Sequence, residues 1–331
     1  MALSEFDLIA RYFRPLTQGR AEALNLLDDA AVITPPAGRQ LVVTTDALVA
    51  GRHFLADGEP VGLAHKALGV NLSDLAAMGA EVYGYTLALA APKPLSEDWL
   101  AGFAAGLAEV QAAHGIFLLG GDTVGTEGPL TLSVTAMGWV PQGAALTRGG
   151  ARAGDALYLS GTVGDAALGL LVAQDGRTLA GAAGDAFLKD RYERPQPRTT
   201  LGPRLVGRAT ACLDVSDGLA ADVGHIAEVS DLGAEIDAAN LPLSEAVRTA
   251  LEADPGLLSR IVTGGDDYEL AFCLPDTAQS ASEVEKLAAE TGVGLTRIGT
   301  MTAPPESGPR VRVLGPGGAA LDLQTGGFTH F

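Results

Sequence analysis

The 331-residue chain has few of the residues that mark several common classes of protein. Its only cysteines, Cys212 and Cys273, stand in apolar segments outside any CxxC pair, which argues against a zinc site or a disulfide framework. Two buried, reduced thiols are expected instead, as in a cytoplasmic protein. No apolar run approaches the roughly 20 residues of a membrane-spanning helix, so no membrane partner is expected. The first residues, MALSEFDLIARYF, predict an amphipathic helix and not a signal peptide, because no basic residue precedes the apolar ones.

Basic residues are scarce as well. The chain has 22 basic and 40 acidic side chains, a net charge of −18, which argues against a general nucleic-acid binder. Only four residues are lysines, none of them follows a glycine, and the P-loop pattern GxxxxGK[ST] is missing. The protein-kinase signatures, a strict GxGxxG, GxSxG and HExxH are absent too. A nucleotide polyphosphate would therefore have to be neutralised by metal ions, with help from a few arginines.

Glycine is plentiful, with 43 residues in short clusters beside acidic side chains. Such clusters indicate backbone that turns sharply or approaches a ligand closely. The length predicts two domains, and 47% apolar residues are ample for their cores. Strand and helix patterns are mixed in both halves, so the class is α/β or α+β. The glycine-rich stretch 141–155 predicts the boundary, which gives domains 1–145 and 146–331.

Several elements can be placed from the sequence. Residues 59–80 keep the helical period, and a second helix is expected from Ser96 as N-cap to Gly115 as stop. Residues 4–14 predict a helix with Ser4 as N-cap. The segment RIVTGGDDYELAFCL, 260–274, predicts a strand, an acidic turn and a second strand.

Aspartates recur where apolar strands are predicted to end. Asp46, Asp122 and Asp214 each stand at such an end. The other acidic segments contain Asp28 and Asp29, Asp74, and Asp217. Carboxylates are ligands that suit Mg²⁺, and several of them close together would need cations between them. Each aspartate alone is better explained as a turn residue or helix cap, but the set favours metal binding.

Two basic side chains have weaker signals. Arg148 lies in the glycine-rich LTRGG, where it is either a phosphate ligand or a solvated linker charge. His53, in GRHF, is by itself an ordinary surface or core histidine.

The acidic segments, taken in order, resemble the successive motifs of thiamine-monophosphate kinases. The matching segments are TTDALVAGRHF (44–54), NLSDLAAMGA (71–80), GGDT (120–123), LTRGGARAGD (146–155), DVSDGL (214–219) and GGDDYEL (264–270). GGD or SDG alone would be a weak signal, but the ordered set covers nearly the whole chain and is highly specific.

The resemblance implies a two-domain fold of the aminoimidazole ribonucleotide synthetase-like (PurM-like) superfamily. An N-terminal domain would bind ATP and Mg²⁺ and pair its sheet with that of a second copy in a homodimer, beside a C-terminal α/β domain. The implied reaction transfers a phosphoryl group in line from ATP to thiamine monophosphate, with several Mg²⁺ ions. The acceptor oxygen is already deprotonated near neutral pH, so no general base is assigned.

The resemblance also implies roles for individual residues. The positions that match the family's Mg²⁺ ligands are Asp29, Thr44, Thr45, Asp46, Asp74, Asp122, Asp214 and Asp217. The positions that match the ATP site are Gly121, Asp122, Arg148 and Ser216. The positions that match the thiamine phosphate site are His53, Asp266 and Phe328, with Asp266 where family members often have Glu.

Two alternatives remain at this stage. The first is another ATP-using enzyme of the same superfamily, such as an aminoimidazole ribonucleotide synthetase. Selenophosphate synthetase and the hydrogenase-maturation dehydratase are disfavoured, because they rely on a reactive cysteine or selenocysteine near a chain end and the first cysteine here is Cys212. The last alternative is a non-catalytic module that binds Mg²⁺ and nucleotide.

Overall fold

The computed structural model describes residues 5–315 and 317–323. They divide into two compact units, one within Met1–Leu75 and Ala80–Gly143 and the other within Ala76–Gly79 and Ala144–Phe331. The stretch 76–79 groups with the second unit although it falls inside the first predicted domain. Its attachment there is explained by backbone bonding, since the Leu146 N–H donates to the Met78 carbonyl at 3.0 Å.

The first unit contains one mixed sheet and two long helices. Its strands are β1 (Arg39–Val49), β2 (Glu81–Pro92), β3 (Phe117–Thr126) and β4 (Thr131–Pro141). Its α-helices are α1 (Glu5–Leu8), α2 (Pro60–Ala77) and α3 (Glu97–His114). A π turn (Ile9–Phe13) and 3₁₀ turns (Arg14–Thr17 and Ala21–Leu26) follow α1.

The strand order in this sheet is β1-β4-β2-β3. β4 pairs antiparallel with both β1 and β2, whereas β2 and β3 run parallel. From Leu41 along β1, exposed side chains alternate with half-buried or buried ones, as in a strand with one face on a core and the other uncovered. The core lies between this sheet and helices α2 and α3, where Leu68, Phe103 and Leu89 are almost fully buried.

Two predictions about the ends of these strands are wrong. β1 continues to Val49 beyond Asp46, and β3 continues to Thr126 beyond Asp122. In both strands the ladder persists, with Asp46 opposite Val134 and Asp122 opposite Ala88. The residues that follow each aspartate include β-branched ones suited to a strand, so pairing with a neighbour extends the strand past the acid. Both carboxylates therefore lie within strands and not at strand ends.

The second unit is built around a larger mixed sheet. Its strands are β5 (Ala156–Ser160), β6 (Ala211–Asp214), β7 (Gly233–Asp237), β8 (Leu270–Leu274), β9 (Leu295–Thr302) and β10 (Val311–Leu314). Its helices are α4 (Asp165–Asp175), α5 (Gly181–Glu193), α6 (Gly202–Leu205), α7 (Leu219–Val229), α8 (Glu245–Ala253), α9 (Leu257–Thr263) and α10 (Ala278–Thr291), with a 3₁₀ turn at Ala238–Asn240.

The strand order here is β10-β7-β9-β5-β8-β6. The inner strands β5 and β8 are buried along their whole length, which explains their continuous apolar sequences ALYLS and LAFCL. One core, on the side of α7, α8 and α9, contains Cys273, and a smaller one on the side of α10 contains Cys212. The two thiols are thus buried and unpaired, as expected.

The sequence placed some elements correctly and one incorrectly. Helix α3 begins where the Ser96 Oγ accepts the Trp99 N–H at 3.1 Å and ends at Gly115, whose φ of 73° lies in the left-handed region that favours glycine. Residues 260–263 are the end of helix α9, not a strand, although Ile-Val-Thr favours a strand locally. The mixed α/β class is confirmed. None of the described helices is both long and apolar enough to span a bilayer.

Candidate active site

In the first unit, three of the predicted ligand residues stand together on the inner face of the sheet. Thr44 and Asp46 alternate with exposed residues on β1, so both side chains point to the face that α2 covers. Thr44 Oγ1 donates to Asp74 Oδ2 of α2 at 2.5 Å. Burial, together with the charge of Asp74, raises the pKa of Asp46 to about 6. The second of these causes indicates that the two carboxylates are close enough to repel each other.

Thr45 and His53 are placed differently. The Thr45 side chain lies on the opposite face of β1, where its Oγ1 is 3.0 Å from the Val134 carbonyl oxygen. Its side chain is therefore not brought to Asp46 and Asp74. His53 lies in the turn after β1, and its Nδ1 accepts the Val49 N–H at 3.0 Å. In the neutral ring this bond leaves the proton on Nε2.

A pocket of about 230 Å³ brings together the remaining predicted ligands of the first unit. Its polar side contains Asp28, Asp29, Gly121 and Asp122. Its apolar side is lined by residues of the N-terminal segment and of β2 and β3, namely Phe6, Ile9, Phe13, Ala23, Leu26, Leu87, Leu118 and Leu119. A concave site with one apolar and one acidic wall suits a ligand that has a flat apolar part and a metal-bound anionic part.

Gly121 is required by the packing of the sheet beside this pocket. It lies opposite Leu87 in the parallel ladder of β2 and β3. A Cβ atom at Gly121 would collide with the Leu87 carbonyl oxygen. The glycine therefore allows the two backbones to come close, and it leaves the backbone on the pocket side without a side chain.

In the second unit, an acidic turn follows β6. Asp214 ends the strand and is buried, whereas Ser216 and Asp217 are half-buried in the turn. One oxygen of Asp222, in the first turn of α7, accepts the backbone N–H groups of Ser216, Asp217 and Gly218 at 3.0, 3.0 and 3.1 Å. Asp222 thus fixes the geometry of the turn through three backbone hydrogen bonds.

The segment GGDDYEL lies directly beside this turn. The Asp266 N–H donates to the Ser216 carbonyl at 2.9 Å, and the Tyr268 N–H donates to the Val215 carbonyl at 2.8 Å. The Tyr268 hydroxyl donates to Asp266 Oδ1 at 3.1 Å. Burial, followed by the nearby charge of Asp266, raises the pKa of Tyr192. The structure therefore brings Asp266 next to Ser216 and Asp217.

The other acids of this segment point into the core. Asp267 Oδ2 accepts the Gly164 N–H at 2.7 Å and its Oδ1 accepts the Ala166 N–H at 3.0 Å, at the start of α4. Burial is the main reason that the pKa of Asp267 is raised to about 8. Glu269 is fully buried and is held by the guanidinium groups of Arg191 and Arg198.

Two predicted site residues remain. Arg148 is exposed in the loop before β5, and the adjacent Thr147 carbonyl accepts the Cys212 N–H at 2.9 Å. This bond lays the loop alongside β6, the strand that ends at Asp214. Phe328 lies outside the described residues.

The predicted ligands do not form a ready-made metal centre. Across the described ranges, no three His, Cys, Asp or Glu side chains are arranged so that they could hold one metal ion. Mg²⁺ is commonly bound by one or two carboxylates, with substrate phosphates and water completing the octahedron. Paired acids such as Asp46 and Asp74 fit that mode better than a closed protein cage.

Sequence reasoning missed the acids that support the site. Asp222 and Asp267 were not singled out, and Glu269 was only part of a motif. The available signal was a charged residue directly before the buried strand LAFCL, because such a charge must have partners. The apolar wall formed by Phe6, Ile9 and Phe13 was also missed, since the pattern showed only an amphipathic helix.

Comparison with known proteins gives the class first. The family model "AIR synthase related protein, N-terminal domain" matches residues 27–140, and "AIR synthase related protein, C-terminal domain" matches residues 152–312. The chain thus has both domains of an AIR synthase related protein.

Individual relatives narrow the class. The chain is 43% identical to thiamine-monophosphate kinase of Escherichia coli K12 over 332 residues, covering 100% of this chain and 99% of that one. The crystal structure of thiamine-monophosphate kinase from Stenotrophomonas maltophilia K279a is 45% identical, with a TM-score of 0.84 over 97% of this chain and 99% of that one. AaThiL complexed with AMPPCP and TMP is 27% identical, with a TM-score of 0.77 over 100% of this chain and 99% of that one. The chain therefore belongs to the thiamine-monophosphate kinase family, and the resemblance seen in its motifs is confirmed.

Proposed function

We propose that this protein transfers the γ-phosphoryl group of ATP to thiamine monophosphate, giving ADP and thiamine diphosphate. The observation that carries the proposal is the 43% identity to a thiamine-monophosphate kinase over the whole chain. A relative similar in fold over the full chain has been solved with the ATP analogue AMPPCP and with TMP. The paired acids and the half-apolar pocket of the first unit suit the same two kinds of ligand.

The test is an ADP-release assay with purified protein, ATP and Mg²⁺. Thiamine monophosphate should release ADP and yield thiamine diphosphate in equal amounts, and other small phosphates such as ribose 5-phosphate should not. ATP binding without ADP release on adding thiamine monophosphate would favour a nucleotide-binding module. ADP release with another phosphate compound alone would favour a different enzyme of the superfamily.

The nucleotide is proposed to occupy the pocket of the first unit. Its apolar wall, which includes Phe6 and Leu26, is suited to the adenine ring. Gly121 and Asp122 border the polar side, where backbone groups and metal-bound phosphates fit. Arg148 and Ser216 of the second unit are proposed as further ATP ligands, on the strength of their motifs.

Several Mg²⁺ ions are proposed to accompany ATP. The donor set fits them, because it consists of carboxylate and hydroxyl oxygens, the hard ligands that Mg²⁺ prefers. In the first unit the ligands would come from Asp29, Thr44, Thr45, Asp46, Asp74 and Asp122, with Thr45 contributing through its backbone. In the second unit they would come from Asp214 and Asp217. The ions would neutralise the charge of two anionic reactants, a main requirement of phosphoryl transfer.

Thiamine monophosphate is proposed to contact His53, Asp266 and Phe328. A carboxylate such as Asp266 suits the cationic thiazolium ring, and an aromatic side chain suits its flat face. The attacking group is a phosphate oxygen that already lacks its proton, so no side chain has to act as a base. The protein's contribution is alignment and charge compensation. The buried unpaired thiols fit a cytoplasmic enzyme.

We also propose a homodimer formed by the uncovered face of the first unit's sheet. On β1, Leu41 and Val43 are apolar and are 45% and 55% exposed. Val43 lies opposite Met137 of β4 in the ladder, which continues the apolar strip. A second copy of the same sheet is a suitable partner for such a face.

The dimer is tested with two variants that each introduce one charge, one in the first unit and a control in the second. Val43→Asp should convert the dimer to a monomer, measured by size-exclusion chromatography with light scattering, because a buried unpaired carboxylate opposes association. The control is Val229→Asp, at an exposed apolar residue of α7 in the second unit, which should leave the mass unchanged. A wild-type monomer, or a Val43→Asp dimer as stable as the wild type, would contradict the proposal.

A further inference from the structure

The GGDDYEL segment carries an unusual backbone conformation at two of its side chains. Asp266 has a φ of 73° and Tyr268 a φ of 51°, both in the left-handed region. For residues other than glycine this region costs roughly 1–2 kcal/mol each. Such a conformation persists only where the surroundings impose it.

Asp267, between these two residues, and Glu269, after them, are acids that lie in the core. Asp266 is half-buried and accepts the Tyr268 hydroxyl, whereas Tyr268, Asp267 and Glu269 are buried, at 9%, 2% and 0% exposure. Each left-handed residue is thus followed by an anchored acid. The two acids hold the segment from the core side while Asp266 is presented on the other side.

Asp267 is the anchor next to Asp266. Each of its carboxylate oxygens accepts one backbone N–H, from Gly164 at 2.7 Å and from Ala166 at 3.0 Å. These donors belong to the first turn of α4, which packs in the main core of the second unit. Two bonds to a helix start fix both the position and the rotation of a side chain.

Glu269 is the second anchor. Its carboxylate accepts Ser160 Oγ at 2.6 Å, Arg191 Nη2 at 3.1 Å and Arg198 Nε at 2.6 Å, and it also accepts Arg198 Nη2. The Leu270 N–H donates back to Ser160 Oγ at 2.8 Å. The Asp266 and Tyr268 N–H groups are bonded to the turn after β6, and Glu269 fixes the end of the segment. Asp267 is the side chain that anchors the residue directly after Asp266.

We propose that Asp267 is a positioning residue for the substrate, because its two bonds to the start of α4 hold Asp266 in the left-handed conformation in which its carboxylate meets thiamine monophosphate. The inference deepens the proposed function and depends on it. Asp267 itself faces the core and contacts no ligand in this account.

The test measures the Michaelis constants of two Asp267 variants, one that removes both of its hydrogen bonds to α4 and one that removes a single bond. Asp267→Ala removes both acceptors, and Asp267→Asn retains one, because the amide nitrogen cannot accept an N–H. Asp267→Ala should raise the KM for thiamine monophosphate about 10-fold and leave the KM for ATP within about 2-fold. The KM of Asp267→Asn for thiamine monophosphate should lie between that of Asp267→Ala and that of the wild type. If the alanine variant does not fold, the asparagine variant provides the test.

Asp185 provides a matched control in the same unit. It is also buried, and its Oδ1 accepts the backbone N–H groups of Leu179 and Ala180 at 2.9 and 2.8 Å. Asp185→Ala removes a comparable pair of bonds away from the GGDDYEL segment. Its KM for thiamine monophosphate should stay within about 2-fold of the wild type, whatever its melting temperature.

A double-variant cycle separates positioning from general loosening. If Asp267 acts through Asp266, then Asp266→Asn combined with Asp267→Ala should raise the KM for thiamine monophosphate no further than Asp266→Asn alone. Multiplying effects, equal increases in both Michaelis constants, or an Asp185→Ala variant that matches Asp267→Ala would each overturn the inference. A wild-type protein that does not phosphorylate thiamine monophosphate would instead overturn the proposed function, and the inference with it.

Discussion

The two units hold their acidic residues by different means. In the first unit, Asp46 and Asp122 stand on long strands whose ladders continue past them, so the sheet itself keeps their positions. In the second unit, Asp217 and Asp266 stand on turns, and buried carboxylates of Asp222 and Asp267 hold those turns by backbone bonds. An acid in the first unit is therefore expected to matter for ligands alone. In the second unit, the acids are expected to divide into those that face ligands and those that maintain the fold.

The largest expected effect is on the acids of the first unit's strands, whose loss should stop turnover without lowering stability. Asp122→Ala or Asp46→Ala should lower kcat by roughly 100-fold or more, because charge compensation dominates phosphoryl transfer. The melting temperature should stay within a few degrees of the wild type, since the ladders remain. Steady-state kinetics and thermal melting measure the two effects, with exposed Asp57→Ala as control. Near wild-type activity in both variants would contradict the metal-binding role.

The reverse behaviour is expected of a buried acid in the second unit. Glu269→Ala leaves Arg191 and Arg198 without their shared carboxylate, and such a loss costs about 3–5 kcal/mol. Urea unfolding should show this decrease in the free energy of unfolding. The exposed Glu285→Ala on α10 should change it by less than about 0.5 kcal/mol. A cost below about 1 kcal/mol for Glu269→Ala would remove the distinction between the two kinds of acid.

A variant of Asp266 tests whether this acid of the second unit faces a ligand. Asp266→Asn keeps the size of the side chain but removes the charge that would face the cationic ring. The KM for thiamine monophosphate should rise about 10-fold, and that for ATP by less than about 2-fold. Exposed Asp175→Asn should change neither. An equal rise in both constants would take Asp266 out of the substrate site.

The smallest expected effect is a dependence of stability on pH. Burial raises the pKa of Asp267 from 3.8 to about 8, with Asp165 adding to the shift and Arg191 and two backbone bonds opposing it. The folded state then binds this proton more tightly than the unfolded chain. The contribution of Asp267 to the free energy of unfolding should therefore fall as the pH rises from about 4 to about 8.

Comparison with Asp267→Asn, which cannot titrate, isolates this contribution. The melting temperature of the wild type relative to that variant should drop by several degrees between pH 5 and pH 8. Thermal melting of both proteins in matched buffers measures it. A constant or growing advantage of the wild type across that interval would show that the carboxyl group stays ionised in the folded state.

Local patterns in the sequence were sufficient for much of the fold. The cap at Ser96 and the stop at Gly115 are set by side chains within a few residues, so both ends of α3 could be predicted. The ends of β1 and β3 could not, because they depend on partners about 90 and 35 residues away in sequence. The helix at residues 260–263 was missed for the same reason, since its apolar residues pack into the core of the second unit.

The candidate site shows the same limit. The motifs identified the acids predicted to face ligands, because those residue types and their order resemble a family. Nothing in the pattern DDYE tells which acid faces inward, since that depends on the left-handed φ of Asp266 and Tyr268. The partners of Glu269 lie at positions 160, 191 and 198, and only the folded chain brings them together.

The placement of the two cysteines has a practical consequence. In the ladder, Cys273 of β8 lies opposite Ala211 and Cys212 of β6 lies opposite Phe272, so the two sulfur atoms project from opposite sides of one sheet and cannot be joined as a disulfide. The first unit contains no cysteine at all. Reaction with a thiol reagent in native buffer would therefore report when the second unit opens, and it would be silent about the first. The opening of the second unit can thus be followed by itself, without introducing a further cysteine.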